Sequence, residues 1–331
     1  MSSHSPHRFC VAPMLDWTDR HCRYFFRLMS KHARVYTEML AAGAVLHGGP
    51  RLLKYNKAEH PIALQVGGSD ADEMAQCAES AEEFGYDEIN INCGCPSDRV
   101  QEGRFGACLM REPQRVAECV SMMTKSASVP VTVKTRIGID HSEDYVFVRR
   151  FVDIVAEAGC DTFIIHARKA WLQGLSPKEN REIPPLNYDV VYRLKQEFPQ
   201  LTIIINGGIH TFEECDEHLK HVDGVMLGRE LYDNPFRLAE VDRHFFGRNM
   251  APLTREQVID QLKPYIENEL RVGTGLSHIT RHILGLYRGQ PGGRRFRQVL
   301  SENAHKLGAG IAVLEAALAE VRPDAPDLIA A

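Results

Sequence analysis

The stretch Asp87–Ser97 reads DEININCGCPS, and it indicates a strand that ends in a turn carrying a thiol. Its two isoleucines alternate with two asparagines, which is the spacing of a β-strand. Gly94 permits a tight turn, and Pro96 cannot continue the hydrogen-bond ladder. Active sites of α/β proteins are built at such strand ends. The stretch therefore predicts that Cys95 stands at the carboxyl edge of a sheet.

Similar short β-branched runs recur along the chain, and the stretches between them are long enough for a helix. The eight predicted strands are Phe9–Met14, Val35–Leu40, Pro61–Gly68, Glu88–Cys95, Val129–Arg136, Thr162–Arg168, Leu201–Gly208 and Gly224–Glu230. Eight strands with a crossover after each predict an α/β protein with a (β/α)8 TIM barrel. A doubly wound open sheet is the competing architecture, but eight regular repeats over about 220 residues fit a closed barrel better.

The composition changes after Gly247, where RNMAP resembles a linker and the remainder is predicted to be helical. We therefore expect a catalytic barrel at 1–247 and a smaller C-terminal all-helical domain at 248–331. Helix start signals precede several of the predicted helices. They are Asp70 with Glu73, Ser142, Thr211 with Glu214, and Thr254 with Gln257.

Composition and cysteine usage indicate a cytoplasmic protein. A hydrophobic fraction of 44% and a charged fraction of 25% are ordinary for a globular chain. No run approaches the roughly 18 apolar residues of a membrane span, and the N-terminal segment lacks the apolar core of a secretory signal. Nine irregularly spaced cysteines do not resemble a disulfide framework. We expect a monomer without an obligate protein partner.

Polar or sulfur-containing side chains stand near the carboxyl end of every predicted strand. In order they are Met14, Glu38, Gln65, Asn92 with Cys95, Lys134 with Arg136, His166 with Arg168, Asn206, and Arg229. Any one of them alone would be an ordinary rim residue. In a barrel these ends converge on one face, so the whole ring predicts an active site there.

Two glycine-containing turns predict a phosphate site. Gly207 and Gly208 follow Asn206 and precede the predicted helix start at Thr211, and a second approach is formed by Gly228–Arg229. A flavin mononucleotide would suit the ring: Lys134 at its N1/O2 edge, Gln65 at its pyrimidine edge, and Pro13 with Met14 beneath it. Residue chemistry alone leaves a phosphorylated sugar as the alternative ligand.

The order of these segments resembles the tRNA-dihydrouridine synthases, and most closely their A subfamily. The matching segments are APMLDWTDR, ALQVGGSD, ININCGCPSDRV with FGACLM, VTVKTRIGID, IIHARKAWLQGLSPKENREIPPL, INGGI and DGVMLGRELYDNP. They extend over nearly the whole chain, and the IHARKAWL and SPKENREIPPL segments are long and specific. The family consists of FMN-dependent barrels with a C-terminal helical domain.

The resemblance implies a reaction. NADPH reduces FMN, hydride passes to C6 of a uridine near position 20 of the tRNA D-loop, and Cys95 protonates C5 from the opposite side. FMN would be held by Pro13, Met14, Gln65, Lys134, His166, Asn206, Gly207, Gly208, Gly228 and Arg229. The uridine would face Asn92, Lys134, His166 and Arg181. We also expect substrate or tRNA contacts from Arg136 and Arg168.

The two cysteines of the turn receive different interpretations. Alternation along the strand predicts that Cys93 packs in the interior, whereas the turn at Gly94 redirects Cys95. A thiol is mostly protonated at neutral pH and can act as an acid. A C-x-C metal pair lacks further ligands nearby, so we predict no metal. A disulfide between Cys93 and Cys95, which would block the acid, remains a hypothesis.

Contacts to tRNA have to come from local patches, because the net charge is −5. The best candidates are Arg294 and Arg297, which lie in a C-terminal segment with six basic residues and one acidic residue. Such a run is often only a solvated helix face. In the loop after the sixth strand, Lys178 is equally well explained as a ligand contact and as an ordinary surface charge.

Two other functions compete with tRNA reduction. A flavin barrel could act on a free pyrimidine, as dihydroorotate and dihydropyrimidine dehydrogenases do, although the basic C-terminal segment favours a large anionic substrate. A non-enzymatic RNA-binding barrel would leave Cys95 without a role, and a bound flavin would argue against it.

Overall fold

Eight parallel strands close into a barrel. The computed structural model describes residues 5–142, 144–249 and 251–321, and their side chains except at positions 99 and 101. The strands are β1 (Phe9–Val11), β2 (Arg34–Ala41), β3 (Ile62–Gly67), β4 (Glu88–Cys93), β5 (Val131–Arg136), β6 (Thr162–His166), β7 (Thr202–Asn206) and β8 (Gly224–Leu227). Because β1 pairs with both β2 and β8, the sheet has no edge. The predicted (β/α)8 barrel is confirmed, and the doubly wound alternative is wrong.

Several strands end earlier than the sequence pattern predicts. Strand β1 stops at Val11 and β8 at Leu227. Pro13 has no N–H to donate to a ladder, which explains the first difference. Arg229 begins a helix and does not lie on the eighth strand, so its predicted strand position is wrong.

The connections are helical. The α-helices are α1 (Arg20–Met29), α2 (Ala42–His47), α3 (Ala71–Phe84), α4 (Asp98–Glu102), α5 (Pro113–Ser126), α6 (Tyr145–Glu157), α7 (Tyr188–Glu197), α8 (Phe212–His218), α9 (Arg229–Asp233), α10 (Val241–Phe246), α11 (Arg255–Arg271), α12 (Leu276–Thr280), α13 (Gly293–Asn303) and α14 (Ile311–Leu318). Short 3₁₀ turns occupy Pro50–Leu53, Lys57–Glu59, Gly106–Arg111, Glu179–Arg181 and Pro235–Glu240.

Most helix start signals are confirmed. The Asp70 side chain accepts hydrogen bonds from the first turn of α3, and Thr211 and Thr254 form capping boxes at α8 and α11. The expected start at Ser142 is wrong. Helix α6 begins at Tyr145, because the carboxylate of Asp144 accepts from the N–H of Phe147 and caps it.

The chain forms two compact units. One contains residues 1–16 and 33–228, and the other contains residues 17–32 and 229–331. In the described part of the second unit every regular element is helical, and α1 belongs to it. No helix in the described residues is long and apolar enough to cross a membrane.

Strand register places the predicted site residues at one level of the barrel. Asn92 on β4 lies opposite Lys134 on β5, Arg136 lies opposite His166 on β6, and His166 lies opposite Asn206 on β7. All five positions fall in the last three residues of their strands. The carboxyl edge of the barrel is therefore where their side chains meet.

Candidate functional site

The turn after β4 is held by the side chain of Asn92. Its Oδ1 accepts hydrogen bonds from the N–H groups of Gly94, at 3.1 Å, and Cys95, at 2.9 Å. The Cys95 Sγ lies 3.5 Å from Ser97 Oγ, and the residue is partly exposed. The thiol is therefore accessible, and the backbone that carries it is held in place by its hydrogen bonds to Asn92.

The guanidinium of Arg136 connects this turn to the loop after β6. Its Nε donates to the carbonyl of Gly94 at 2.8 Å, and its Nη1 donates to the carbonyls of Lys169 and Asn180, both at 3.0 Å. Arg136 is buried. These three bonds favour a positioning role for Arg136; its predicted substrate contact stays a prediction.

Cys95 shares its surroundings with a group of basic side chains. Burial lowers the pKa of Lys134 to about 7 and that of Arg136 to about 10. The charges of neighbouring arginines contribute to both lowered pKa values, while the Cys95 sulfur opposes the shifts. This is the electrostatic setting that binds anionic groups, since an added negative charge would relieve the repulsion.

His166 is neutral at physiological pH. Burial, followed by the charges of Arg136, Lys134, Arg168 and Arg181, holds its pKa well below the usual range. A neutral imidazole has one donor and one acceptor nitrogen, so it can pair with a polar ring edge without adding charge.

Three amide side chains, from Asn206, Asn92 and Gln65, complete the mouth of the barrel. Lys134 Nζ donates to Asn206 Oδ1 at 3.1 Å, and Asn206 Nδ2 donates to the carbonyl of Met226 at 2.7 Å. Asn92 Nδ2 donates to Gln65 Oε1 at 3.0 Å. Since Asn92 Oδ1 already accepts from two N–H groups of the turn, the amide has an N–H left to offer a uracil edge, and its predicted contact with the uridine stays a prediction.

The glycines after β7 are required by close packing. Gly207 has φ +114°, and a Cβ there would lie 2.5 Å from His166 Cδ2; Gly208 has φ +69°, and its Cβ would lie 2.5 Å from Leu186 Cδ1. Tyr188 fixes the turn by donating its hydroxyl hydrogen to the Gly207 carbonyl at 2.8 Å. Any side chain would displace the residues around the mouth.

The helix that follows offers fewer free N–H groups than the sequence pattern predicts. Glu214 Oε2 accepts from the N–H groups of His210, at 2.6 Å, and Thr211, at 3.0 Å, while Thr211 Oγ1 accepts from the N–H of Glu214 at 3.2 Å. These bonds use N–H groups at and just before the start of α8 that a phosphate would otherwise bind. A phosphate would depend more on the glycine backbone than on the start of α8.

Comparisons with known proteins agree with this geometry. The family described as Dihydrouridine synthase (Dus) matches residues 10–322. The chain belongs to the dihydrouridine synthase family. The tRNA-dihydrouridine(20/20a) synthase of Shewanella oneidensis is 60% identical over 316 residues, 96% of this chain and 94% of that protein. Proteins of the same name from Vibrio parahaemolyticus and Yersinia pestis are 59% and 60% identical, cover 95% and 96% of this chain, and are themselves covered to 97% and 92%.

Family membership confirms the resemblance found in the sequence. The family is flavin-dependent, and the residues at the mouth fit a flavin. Lys134, Gln65 and Asn206 carry donors and acceptors that suit a pyrimidine edge, and Gly228 lies close to the loop after β1, since a Cβ there would be 3.4 Å from Ala12 Cβ and Met14 Sδ. Pro13 and Met14 are partly exposed in the loop after β1.

The thiol predictions have mixed outcomes. Cys93 is fully buried and burial raises its pKa well above the usual value, which confirms its packing role. Both Cys93 and Cys95 are free thiols, so the structure does not contain the hypothetical disulfide. Among the described residues, no group of three or more His, Cys, Asp or Glu side chains could hold a metal ion.

The remaining predicted contacts do not belong to the strand-end ring of side chains. Arg168 Nη1 donates to the carbonyls of Glu182, at 3.4 Å, and Pro184, so it orders the loop that carries Arg181. Arg181 itself is exposed. Arg229, Arg294 and Arg297 belong to the second unit. Their roles stay predictions.

Sequence reasoning missed the polar residues beneath the site. Glu88 and Asn90 precede Asn92 at every second position of β4, and Thr132 stands opposite Asn90 on β5. All are buried. Three polar residues on one face of a fully buried strand were the available signal, because such groups are rare in a core unless they are hydrogen-bonded.

Proposed function

We propose that this protein is an NADPH-dependent flavin oxidoreductase that reduces D-loop uridines of tRNA, around positions 20 and 20a, to 5,6-dihydrouridine. The proposal is carried by one observation: an accessible thiol, Cys95, stands beside Lys134 and Arg136 at the carboxyl edge of a closed barrel, where a neutral His166 lies opposite Arg136. Relatives about 60% identical named tRNA-dihydrouridine(20/20a) synthase support the substrate and the position.

FMN is the proposed cofactor. When bound and reduced by NADPH, FMN supplies the hydride that C6 of the uracil receives. The residues proposed to hold it are Pro13, Met14, Gln65, Lys134, His166, Asn206, Gly207, Gly208, Gly228 and Arg229. Lys134 has its pKa near 7, so it can take up a proton when a negative ring edge approaches.

Cys95 completes the proposed reaction. Its Sγ–H bond breaks as the proton passes to C5 of the uracil, and the thiolate then regains a proton from water. A hydride at C6 and a proton at C5 saturate the double bond, and NADPH, the source of the two electrons, leaves as NADP+. Asn92, Lys134, His166 and Arg181 are proposed to hold the uracil against this thiol, and Arg136 keeps the turn in place.

The C-terminal helices, at 248–331, are proposed to bind tRNA through Arg294 and Arg297. A buried base in a folded RNA has to be swung out before an enzyme can act on it. Phosphate contacts position the RNA while the barrel mouth receives the base. We infer a cytoplasmic location, because tRNA and reduced thiols occur there together.

The decisive experiment compares Cys95→Ala with the unchanged protein. We expect the variant to retain flavin, NADPH-dependent flavin reduction and tRNA affinity, while dihydrouridine formation falls about 100-fold or more, as loss of a general acid predicts. Mass spectrometry of unmodified tRNA after incubation measures the product, and Cys93→Ala is the matched control. A Cys95→Ala variant with normal turnover would refute the acid assignment.

A second assay separates tRNA from free pyrimidines as substrates. Reduced enzyme is mixed with unmodified tRNA or with free uridine, and flavin absorbance reports reoxidation. We expect rapid reoxidation by tRNA only. Reoxidation by free uridine at an equal rate would favour the pyrimidine dehydrogenase alternative.

A further inference from the structure

A continuous row of hydrogen bonds leads from the Cys95 turn into the barrel interior. The N–H groups of Gly94 and Cys95 donate to Asn92 Oδ1 at 3.1 and 2.9 Å. Asn92 Nδ2 then donates to Gln65 Oε1 at 3.0 Å, and Gln65 Nε2 donates to Asn90 Oδ1 at 2.8 Å. Two strands, β3 and β4, and the turn after β4 are joined through these side chains.

The row continues to a buried carboxylate. Asn90 Nδ2 donates to Thr132 Oγ1 at 2.8 Å, and Thr132 Oγ1 donates to Glu88 Oε1 at 2.6 Å. We call the side chains of Asn92, Gln65, Asn90, Thr132 and Glu88 the polar column. Every member is 9% exposed or less, so solvent does not substitute for a lost partner.

Glu88 is held as an anion at the lower end of the polar column. Tyr36 donates its hydroxyl hydrogen to Oε1 at 2.9 Å, and His7 Nε2 and Arg34 Nη1 lie 2.6 and 3.2 Å from Oε2. Burial by itself would raise the pKa of Glu88, but the hydrogen bond with His7 and the nearby positive charges keep that pKa below its usual value. An ionised carboxylate only accepts hydrogen bonds.

The two ends of the polar column determine the direction of every bond in it. Because Glu88 only accepts, Thr132 has to donate to it, which leaves the Thr132 oxygen to accept from Asn90. By the same reasoning Asn90 Oδ1 accepts from Gln65 Nε2, and Gln65 Oε1 accepts from Asn92 Nδ2. The Asn92 Oδ1 atom therefore has to face the turn after β4. There it meets two backbone N–H groups, which can only donate. Each side-chain amide therefore has a single favourable orientation, and the bonds polarise one another in the same direction.

The polar column differs from the rest of the barrel interior. Other interior positions are apolar, as at Ala63, Ile164 and Ile204. Polar groups are costly to bury unless all of their bonds are satisfied, and apolar residues of similar volume often serve a core as well. Five satisfied polar side chains in one row that ends at the reactive turn therefore point to a purpose beyond folding.

We propose that Glu88, Thr132 and Asn90 are positioning residues for the proton-donating turn. They act through Gln65 and Asn92, and they fix the direction of the Asn92 amide and with it the placement of Cys95. This inference rests on the proposed function for its effect on turnover, whereas the placement of the turn can be measured without any reaction.

The test uses Thr132→Val, which removes the hydroxyl at nearly constant volume and leaves the His7 and Arg34 partners of Glu88 in place. Thr132→Ser restores the hydroxyl. Thr162→Val is the matched control, since Thr162 is a buried barrel threonine outside the polar column that bonds to Asp161. Amide hydrogen exchange of the flavin-loaded protein is followed by mass spectrometry in peptides covering residues 93–97, and flavin content and both half-reactions are measured on the same samples.

We expect Thr132→Val to accelerate exchange in the 93–97 peptides by about 3- to 10-fold, as loss of hydrogen-bond support predicts. Flavin reoxidation by tRNA should slow by about 10-fold, while flavin content and reduction by NADPH stay unchanged. Thr132→Ser and Thr162→Val should match the unchanged protein in both readouts. Unchanged exchange at 93–97, or an equal loss in the whole protein and in both half-reactions, would overturn the proposal.

A measurement on the unchanged protein covers the case in which Thr132→Val does not fold. The amides of Gly94 and Cys95 should exchange at least about 10-fold more slowly than those of the exposed loop residues Gly174 and Gln173, because both donate to Asn92. Equal exchange would overturn the proposal. If the unchanged protein shows this protection but does not reduce tRNA, the proposed function fails while the placement of the turn stands.

Discussion

Lys134 shows how burial changes the protonation of a single side chain at the site. The side chain extends into the barrel mouth beside Arg136, and burial followed by this neighbouring charge lowers its pKa from 10.5 to about 7. At neutral pH the folded protein therefore holds a group that is about half protonated. Such a lysine can accept a proton from solvent when an anion binds, and it can release the proton when the anion leaves.

This shift predicts a pH-dependent effect of Lys134→Met on stability. The folded pKa is below the unfolded one, so below pH 7 the folded state carries the full cost of a buried charge. Between pH 7 and about 10.5 the unfolded state binds more protons, and the stability of the unchanged protein rises with pH. We expect Lys134→Met to stabilise flavin-free protein more at pH 6 than at pH 10, as measured by urea unfolding.

Lys220→Met is the control for this experiment, because Lys220 is exposed and pairs with Glu217 on the surface. The effect of Lys220→Met on the free energy of unfolding should be small, and it should not decline between pH 7 and pH 10. An equal gain for Lys134→Met at pH 6 and pH 10 would contradict the lowered pKa.

Among the structural elements, the loop after β6 is held from within by the side chain of Asn180, in addition to the bonds from Arg136 and Arg168. Asn180 is fully buried; its Oδ1 accepts from the N–H of Trp171 at 2.7 Å, and its Nδ2 donates to the carbonyls of Trp171 and Leu175 at 2.9 and 3.1 Å. The carbonyl of Asn180 also accepts from Arg136. The hydrogen bonds of Asn180 therefore also fix the backbone position of Arg181, the next residue.

We expect Asn180→Ala to impair the reaction with tRNA selectively. Removing the side chain leaves three backbone groups of the loop without partners and frees Arg181 from its position. The value of kcat/KM with tRNA should fall by roughly 10-fold or more, while flavin reduction by NADPH is unchanged. Stopped-flow measurement of both half-reactions tests this.

Asn56→Ala provides the comparison, since Asn56 caps a short turn between β2 and β3 and should affect stability only. If Asn180→Ala and Asn56→Ala changed the tRNA reaction to the same extent, the loop would have no special role in substrate positioning.

On the scale of the whole molecule, the charges that could meet RNA are fewer than the sequence count indicates. Arg281 pairs with Asp19 at 2.9 Å, and Arg295 bonds to Gln298 and pairs with Glu320 at 3.6 Å. Arg294 and Arg297 are exposed on α13, and their guanidinium groups have no partner in the described part of the chain. Helix α13 buries Phe296 and Leu300, so its arginine face is turned to solvent.

The double variant Arg294→Ala with Arg297→Ala should weaken tRNA binding and reduce its salt dependence. If each arginine neutralises one phosphate, the slope of log K against log salt becomes shallower by roughly 1.8. The affinity loss should then be largest at low salt, where the unchanged protein gains most from releasing counterions. Binding titrations at several salt concentrations measure both quantities.

The matched control removes two exposed arginines from the first unit, Arg149→Ala with Arg193→Ala, which both contact Glu197. It changes the net charge equally. A salt slope that changed to the same extent in both double variants would indicate a general charge effect, and an unchanged slope in the Arg294 and Arg297 variant would place tRNA on another surface.

The sequence by itself determined the barrel and most of the ring around its mouth. Alternating apolar residues, glycine turns and cap signals such as Thr211 are local patterns, and each specifies its element through nearest-neighbour sterics and hydrogen bonds. Eight repeats of strand and helix leave few ways to close a parallel sheet. The position of Cys95 follows from the same local rules, and its role came from family resemblance.

Only the tertiary structure decided which partners these residues use. Asn92 has its carbonyl committed to the turn, Arg136 bonds to three backbone carbonyls, and the polar column joins β3, β4 and β5. Side-chain hydrogen bonds between strands 25 to 42 residues apart depend on register and barrel closure. No local pattern encodes them, because the free energy of a buried polar group is set by whichever distant group completes its hydrogen bonds.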